Sequence, residues 1–497
     1  MSEAVSLLND KRPKVQLPAD NYLLSDCAHE MGKILAQKDI FQRGGFVFIA
    51  NEQKDGLVPM MPETLRTWVE DYLVCYKVRK ISENQTVEFK RTITQTDAAG
   101  ILSSPQFIAQ LQNVERFNPV RMPVMRSDGN IVLLPEGYDY ETKSFTCDPV
   151  PVISGMDVQT AKGIIDELLG EFAFADSGRS RAVAVSAMLT VFGRLLLPPK
   201  SLRPCFVFVA NAEGAGKTLL VKLATVPVLG YAPTGTKPRD EDEMGKILLA
   251  AVVEASVVLF FDNIKGHIAS AALEGFLSSQ DFKGRILGQS KSFRGENNAT
   301  VFITGNACTV SPDMRRRSLF CELFLEAERA EDRVFKNNLE VPLLLQSRSD
   351  ILTALWALIQ DWHAAMQPQP TRSNSSFSDW SRIIGGIVEN AGYGCPLEAP
   401  QIEAAGDRDS EDMRTLVQAI ANGAVLKRVE FDEIVETARA DGLFDWLIAP
   451  EGDLDPKAKS TFGKLLKSYD RRLVCGCRFT VEGRGRSKRF QVEKVTR

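Results

Sequence analysis

Three short apolar runs in the middle of the chain each close on polar residues. They are "CFVFVA" (205–210), "SVVLFFDN" (256–263) and "ATVFITGN" (299–306). Runs without polar alternation read as strands buried on both faces, as in a parallel sheet. Ligands of such sheets bind outside the carboxyl ends of the strands. The polar residues there, Asn211, Asp262, Asn263 and Asn306, are therefore expected on one edge despite their separation in sequence.

The flanking patterns differ. Upstream, "GGFVFIANE" (44–52) reads as a strand and "PETLRTWVEDYLVCYKV" (62–78) as a helix with Pro near its start. "SDGNIVLLPEGYDYETKSF" (127–145) reads as one hairpin with turn residues at both ends. "DVQTAKGIIDELLGEFAF" (157–174) starts a helix capped by Asp157, and "SRAVAVSAMLTVFGRLLL" (180–197) gives a second. Pro198, Pro199 and Pro204 then break the chain, which places a boundary near 200. Downstream, 3.6-residue periodicity predicts helices at 349–366, 377–392, 406–420 and 429–443. The last stretch is a helix, "KSTFGKLLKSYDRRL" (459–473), then two alternating strands around "EGRGRSKR".

Composition adds little to this. The 497 residues are 44% hydrophobic and 25% charged with a net charge of -4, which is globular and long enough for several domains. Nine scattered Cys show no C-x-x-C pair and there are three His, so a structural zinc site is not expected. No signal peptide or membrane-length apolar run is read, and a cytoplasmic protein is expected.

The stretch after the first apolar run carries chemistry. "NAEGAGKT" follows a strand and opens an apolar helix. It matches the last four positions of the phosphate-loop pattern G-x-x-x-x-G-K-[ST], with Asn211 at the first. Consecutive amides at a helix N-terminus hold anionic phosphates, and Gly214 and Gly216 allow the angles this needs. The expected cradle is Asn211, Ala212, Glu213, Gly214, Ala215, Gly216, Lys217, Thr218 and Leu219. Lys217 would reach the β- and γ-phosphates of ATP, and Thr218 would ligate Mg2+. Asn tolerates left-handed angles, so Asn211 is a workable substitute for Gly. Asp262 is the expected holder of Mg2+. Asn263 stands next to it and cannot accept a proton, so the base is left to Asp262 or Glu274. Asn306 is placed to orient the γ-phosphate or the attacking water, or it starts a Gly-Asn turn. In "SPDMRRRSLF", Arg316 and Arg317 either reach a neighbouring subunit's phosphate or pair with Asp313.

Together, "NAEGAGKT", "LFFDN", "VFITGN" and "DMRRRSLF", in this order, resemble the AAA+ ATPases of the superfamily 3-like replicative helicases of phages, plasmids and mobile elements. "DFKGRILGQS" and the upstream "FQRGGFVFI … MRSDGNIVLLPEGYD" also resemble that family, over roughly residues 30–400. The resemblance implies a homo-oligomeric ring, a hexamer, that translocates on DNA. It implies an α/β fold: a parallel-sheet P-loop core with an α+β N-terminal domain, a helical lid and a C-terminal winged-helix domain. The expected divisions are 1–155 (collar or loading), 156–200 (linker), 201–335 (ATPase core), 336–400 (lid), 401–455 (helical connector) and 456–497 (basic winged-helix-like end). It also implies a hairpin that enters the central channel, here "GRILGQSKSFRGENNATVF", with Lys291 and Arg294 aimed at phosphates. The departures are Asn211 and Asn263.

The tail has its own signal. From 456 to 497 there are 13 Lys and Arg against 3 acidic residues. Arg484, Arg486, Lys488 and Arg489 sit at the turn between its two strands, where a basic wing follows a phosphate backbone or a minor groove. Near the N-terminus, Asp128 and Asp139 either bind a metal or cap turns. Arg43, Arg121 and Arg126 either touch DNA or serve the surface. The expected function is an ATP-dependent DNA helicase. An origin-binding initiator or loader without unwinding, and a nucleotide-gated structural assembly, are the alternatives.

Overall fold

The computed structural model describes residues 10–52, 56–82, 85–146, 150–176, 178–211, 213–285, 292–325, 340–398, 408–422, 424–470, 472–474, 477–482 and 489–494. The chain forms two compact units, Met1–Ile402 and Glu403–Arg497.

A four-stranded parallel sheet organises the first unit. Its spatial order is Val258–Ile268, Thr300–Val310, Cys205–Ala210, Ser318–Leu323. All six residues of Cys205–Ala210 are buried, as the apolar run predicts. Strand alternation then divides them between two cores. Phe206, Phe208 and Ala210 join the helices Arg179–Phe192, Lys217–Leu229 and Arg348–Ala364 on one side. Cys205, Val207 and Val209 join Glu241–Val253 and Ala271–Ser278 on the other.

That second core also contains Phe41, Phe48, Leu57, Val114 and Phe117. They come from the small N-terminal sheets, which include Ile40–Arg43, Phe46–Ala50 and Leu57–Pro59. The N-terminal part thus shares its core with the parallel sheet. A smaller separate core, with Met31, Leu65 and Ile101, lies within the N-terminal part.

Two N-terminal readings change. The helix expected over 62–78 ends early: Pro62–Trp68 is helical, one 3-10 turn follows, and Val74–Ser82 is a strand paired with Gln85–Lys90. The residues "VCYKVRKIS" are rich in β-formers that the helical pattern hid. The segment 127–145 serves two hairpins rather than one. Ile131–Leu133 pairs back to Pro123–Met125, and Gly137–Asp139 pairs with Ser144–Thr146. Asp157 caps Val158–Leu169 as expected, accepting from the backbone amides of Gln159 and Thr160 at 3.0 Å.

One buried ion pair ties three segments together. Arg116 donates to Glu296 at 2.7 Å, and the backbone amide of Lys200 reaches the same oxygen at 2.8 Å. The side chains are 7% and 10% exposed. Burial alone would raise the Glu296 pKa, but Arg116 outweighs it and holds it below the ordinary value. Arg116→Met leaves this carboxylate buried without its partner, and chemical denaturation should read a loss of about 3–5 kcal/mol. The sign with pH follows from the depressed pKa. The contribution is complete above the unfolded value near 4.3 and fades as pH falls through the lower folded value. The stability gap between wild type and Glu296→Gln should therefore narrow below about pH 4.

The second unit contains the helices Arg408–Ala421, Phe431–Ala440 and Pro456–Ser468 and a four-stranded antiparallel sheet. The sheet order is Leu426–Glu430, Arg489–Lys494, Cys477–Glu482, Arg472–Val474. Val429 pairs with Phe490, and both lie in one core with Leu416, Ile434 and Phe462. The expected division at 455 therefore does not run through the fold. The segment 401–455 supplies an outer strand and two helices to the same sheet and core as the basic end.

Candidate functional site

The turn after Cys205–Ala210 leads into the helix Lys217–Leu229. Gly214 and Gly216 have φ of +75° and +97°, the left-handed region where a side chain is strained. A Cβ on Gly216 would also meet the Phe172 ring at 3.0 Å. Gly216 occupies the N-cap position, so the amides of the first turn, which point away from the helix's own carbonyls, lie at this loop. Arg348 caps the other end of the helix, donating to the Pro227 and Val228 carbonyls at 2.6 and 2.9 Å.

Asn211 differs from its sequence reading. It is not among the positive-φ residues of the described chain. Its side-chain amide instead clasps the backbone of Leu325, accepting from the amide and donating to the carbonyl, both at 2.9 Å. A Gly there would lose both bonds, which ties the departure from the loop pattern to side-chain bonding rather than to backbone freedom. Ala212 lies outside the described residues, and Glu213 is exposed.

The strand order places Thr300–Val310 between the strand that carries the turn and the strand that carries Asp262. Asn306 on this middle strand accepts from Lys217 Nζ at 2.5 Å. Thr218 donates its hydroxyl to Asp262 Oδ1 at 3.2 Å. Lys217, Thr218, Asp262 and Asn306 are all half-buried, and the structure brings these four together. Two hard oxygen donors, the Thr218 hydroxyl and the Asp262 carboxylate, suit a small divalent cation such as Mg2+.

Asp262 and Asn263 form a β-bulge. Phe261 pairs with Ile303 and Ile264 with Gly305, leaving two residues opposite Thr304. Asn263 takes the extra position with φ of +51° and is exposed. Thr304, buried at 1% exposure, holds the bulge. Its hydroxyl accepts from the Asn263 amide at 2.9 Å and donates to Asp262 Oδ1 at 2.5 Å. Gly235 completes the packing, because a Cβ there would lie 2.4 Å from the Cβ of Asp262. Sequence reasoning missed both residues. Thr304 stands two positions before Asn306 on one strand, so it shares a face with Asn306; that spacing was the available signal.

Thr304→Val keeps the shape and removes the hydroxyl that restrains Asp262. Calorimetry should show nucleotide binding with Mg2+ weakened by about 1–2 kcal/mol, the order of one buried hydrogen bond to a charged group. Thr304→Ser should restore it.

Other expected residues fall elsewhere. Glu274 accepts from Ser311, on a helix that starts after the end of the Asp262 strand. Arg317 bonds the Asp313 carbonyl at 3.0 Å and lies 3.5 Å from its carboxylate; its side chain is 15% exposed. Arg316 pairs with the same carboxylate at 2.9 Å but is 57% exposed. The Arg317 carbonyl accepts from the amide of Cys205 at 2.9 Å, and Ser318 pairs with Cys205. Both arginines therefore stand at the edge of the sheet opposite the turn, roughly 17 Å away along the strand.

The hairpin Asp281–Arg285 and Ser292–Glu296 forms as expected, and Lys291 lies outside the described residues. Arg294 is exposed but paired with Asp281 at 2.8 Å, as is Lys200 at 3.0 Å. Phe293 anchors the hairpin against Phe46 and Phe48. Arg43 is buried, not a surface contact, and donates to the Val253 carbonyl at 2.9 Å with its guanidinium over Phe293. Arg126 pairs with Asp139 and Glu141, Arg121 donates to the Leu134 carbonyl, and Asp128 caps a turn at Asn130. Arg484, Arg486 and Lys488 lie outside the described residues. Arg489 is exposed and directly opposite Glu482.

The fold and site define a mixed α/β protein whose parallel-sheet edge gathers a lysine, a carboxylate and two polar neighbours behind a glycine turn. No family model and no curated protein matches the chain. Solved structures similar to it include the apo C-terminal region of NrS-1, at 11% identity over 94% of this chain and 99% of that one, TM-score 0.39. Another is the active helicase Cch of SCCmec type IV, at 9% identity over 81% and 82%, TM-score 0.28. A third is JCV helicase with a bound small molecule, a thiazolopyridine acetamide, at 13% identity over 48% and 73%, TM-score 0.20. Likenesses this remote assign no role to any residue. Among the described residues no helix is long and apolar enough to cross a membrane.

Proposed function

We propose that this chain is an ATP-dependent DNA helicase, working as a ring in the replication of a mobile element or prophage. The observation that carries the nucleotide part is the pair of contacts across three strands, Lys217 to Asn306 and Thr218 to Asp262. The helicase part adds the likeness of the four motifs and the basic C-terminal end.

In this reading the amides around Gly214–Thr218 hold the triphosphate, and Lys217 exchanges Asn306 for the β- and γ-oxygens. Asn306, released, orients the attacking water. Thr218 and Asp262 hold Mg2+, which neutralises phosphate charge when bound. A cavity of about 550 Å3 lined by Phe172, Phe174, Asp166, Arg181 and Tyr393 adjoins the turn through Phe172 and takes the nucleoside. Arg316, exposed on the far edge, serves the neighbouring subunit, and Arg317 braces it through Asp313. Catalysis then comes from positioning and charge stabilisation.

Asn263 favours a second reading, a nucleotide-gated assembly with slow turnover, because an amide stands where a carboxylate would polarise water. Strand displacement by wild type and by Lys217→Ala is the test. Equal unwinding by the two proteins refutes the helicase assignment. Nucleotide binding without DNA-stimulated turnover in wild type selects the second reading.

A further inference from the structure

We infer that Arg116, Arg194 and Arg203 hold a divalent oxyanion of the phosphate and sulfate class, buried where the N-terminal sheets meet the start of the parallel sheet. The site lies at the opposite end of the strand from the glycine turn and stands independently of the nucleotide reading.

Four segments bring the groups together. Arg116 opens the strand Arg116–Asn118, and Arg194 follows the helix Arg179–Phe192. Arg203 precedes Cys205–Ala210, and Glu296 closes the hairpin strand Ser292–Glu296. The three arginines are 6%, 2% and 9% exposed, and Glu296 is 9% exposed. Each arginine feels the Glu296 charge, and Arg194 is repelled by both of the others.

The charges do not cancel. Three guanidiniums face one carboxylate, which leaves an excess of two positive charges. Other acids nearby are engaged elsewhere: Asp281 with Lys200 and Arg294, and half-buried Glu115 with Asn113. Among the described residues the other buried carboxylate, Glu322, lies beside Arg179. Burial pushes Arg194 down to about 9 and Arg203 to about 10, so both stay charged at neutral pH. Buried charges in folded proteins are paired.

The same side chains have unfinished hydrogen bonds. Arg194 gives Nη2 to Asn118 Oδ1 at 2.7 Å and to the Phe117 carbonyl, while its Nε and Nη1 are buried without a partner. Arg116 gives Nη2 to Glu296, and Arg203 gives Nη1 to the Asn297 carbonyl at 3.3 Å. The Nε of each is likewise buried and unpartnered. Spare N–H donors on three guanidiniums and two excess charges suit a tetrahedral dianion, whose oxygens the planar forks match. Water satisfies the donors and leaves the charge. Chloride neutralises half of it.

Access restricts the ligand to a small ion. A cavity of about 770 Å3 opens on Arg116 and Glu296. Lys143 lines it, exposed and with no ion pair among the described residues. The phosphates of a nucleic-acid strand cannot reach a guanidinium that is 2% exposed. The anion is either free or the terminal group of a small phosphate ester whose body stays in the cavity beside Leu197 and Pro198.

The test melts the full chain without nucleotide in sulfate, inorganic phosphate or phenyl phosphate, each against chloride at equal ionic strength. At about 10 mM the oxyanions should raise Tm by at least about 2 °C. Equal rises mark a free ion, and a larger rise with phenyl phosphate marks an ester. Arg194→Met and Arg203→Met should each abolish the rise. Lys217→Ala should keep it, which separates this site from phosphate held at the glycine turn. Crystals grown in selenate should show an anomalous peak among the three guanidiniums, a result that needs no variant. Identical melting in chloride and in all three oxyanions, a rise that persists in both Met variants, or selenate at the glycine turn alone overturns the inference.

Discussion

A Lys217→Ala protein should turn over ATP about 10²–10³-fold more slowly than wild type and displace no strand. Lys217 is the first residue of its helix, at the N-terminus where the amides converge, and its ammonium is fixed by Asn306 at 2.5 Å. In the proposed reaction it is a preorganised cation at the place where phosphate charge builds up, and removing such a group costs the transition state more than the ground state. Lys217→Arg should not rescue turnover. A planar guanidinium is too broad for a half-buried site shaped to a point charge. A steady-state phosphate-release assay reads the result. Turnover at the wild-type rate in Lys217→Ala would remove the site from the reaction.

The second large effect concerns Arg316. In a ring, Arg316→Ala should lower turnover about 10³-fold or more while leaving nucleotide affinity close to wild type. The register decides against action within one chain, because Arg317 and Ser318 meet Cys205 at the strand's beginning and the turn leaves its end. Mixing two inactive proteins makes the distinction sharp. An Arg316→Ala subunit keeps its own Lys217, and a Lys217→Ala neighbour lends it Arg316. In a random one-to-one mixture about a quarter of the head-to-tail interfaces combine both, so activity should return to that fraction of wild type. Mixtures that stay inactive would leave Arg316 with only its local pairing to Asp313.

Much of the core was legible before the structure. Fully apolar runs such as "CFVFVA" announce strands buried on both sides, and the glycine turn announces its own left-handed residues. The rest failed for identifiable reasons. The strand Val74–Ser82 was hidden because "WVEDYLVCYKV" satisfies both periods, and only pairing with Gln85–Lys90 decides between them. The bulge at Asp262 depends on how many residues of one strand face Thr304 on another, which no single segment encodes. Asn211 was read by its backbone tolerance, while its partner Leu325 lies over a hundred residues away. Arg43 and Arg126 look like surface cations in sequence, but burial and Asp139 decide otherwise. The clasp, the bulge and the buried cations all arise from long-range pairing.

The division of one strand between two cores has a genetic corollary. Val207 and Val209 press on a layer that Phe41, Phe48 and Phe117 complete, each contributing about 1.5–3 kcal/mol by burial. Recombination that exchanged the leading segment for an unrelated one would strip one face of the parallel sheet of the side chains that complete its core. The front of the chain is bound to descend together with the parallel sheet, and shuffling tolerates a seam more readily near residue 402, where the compact units part.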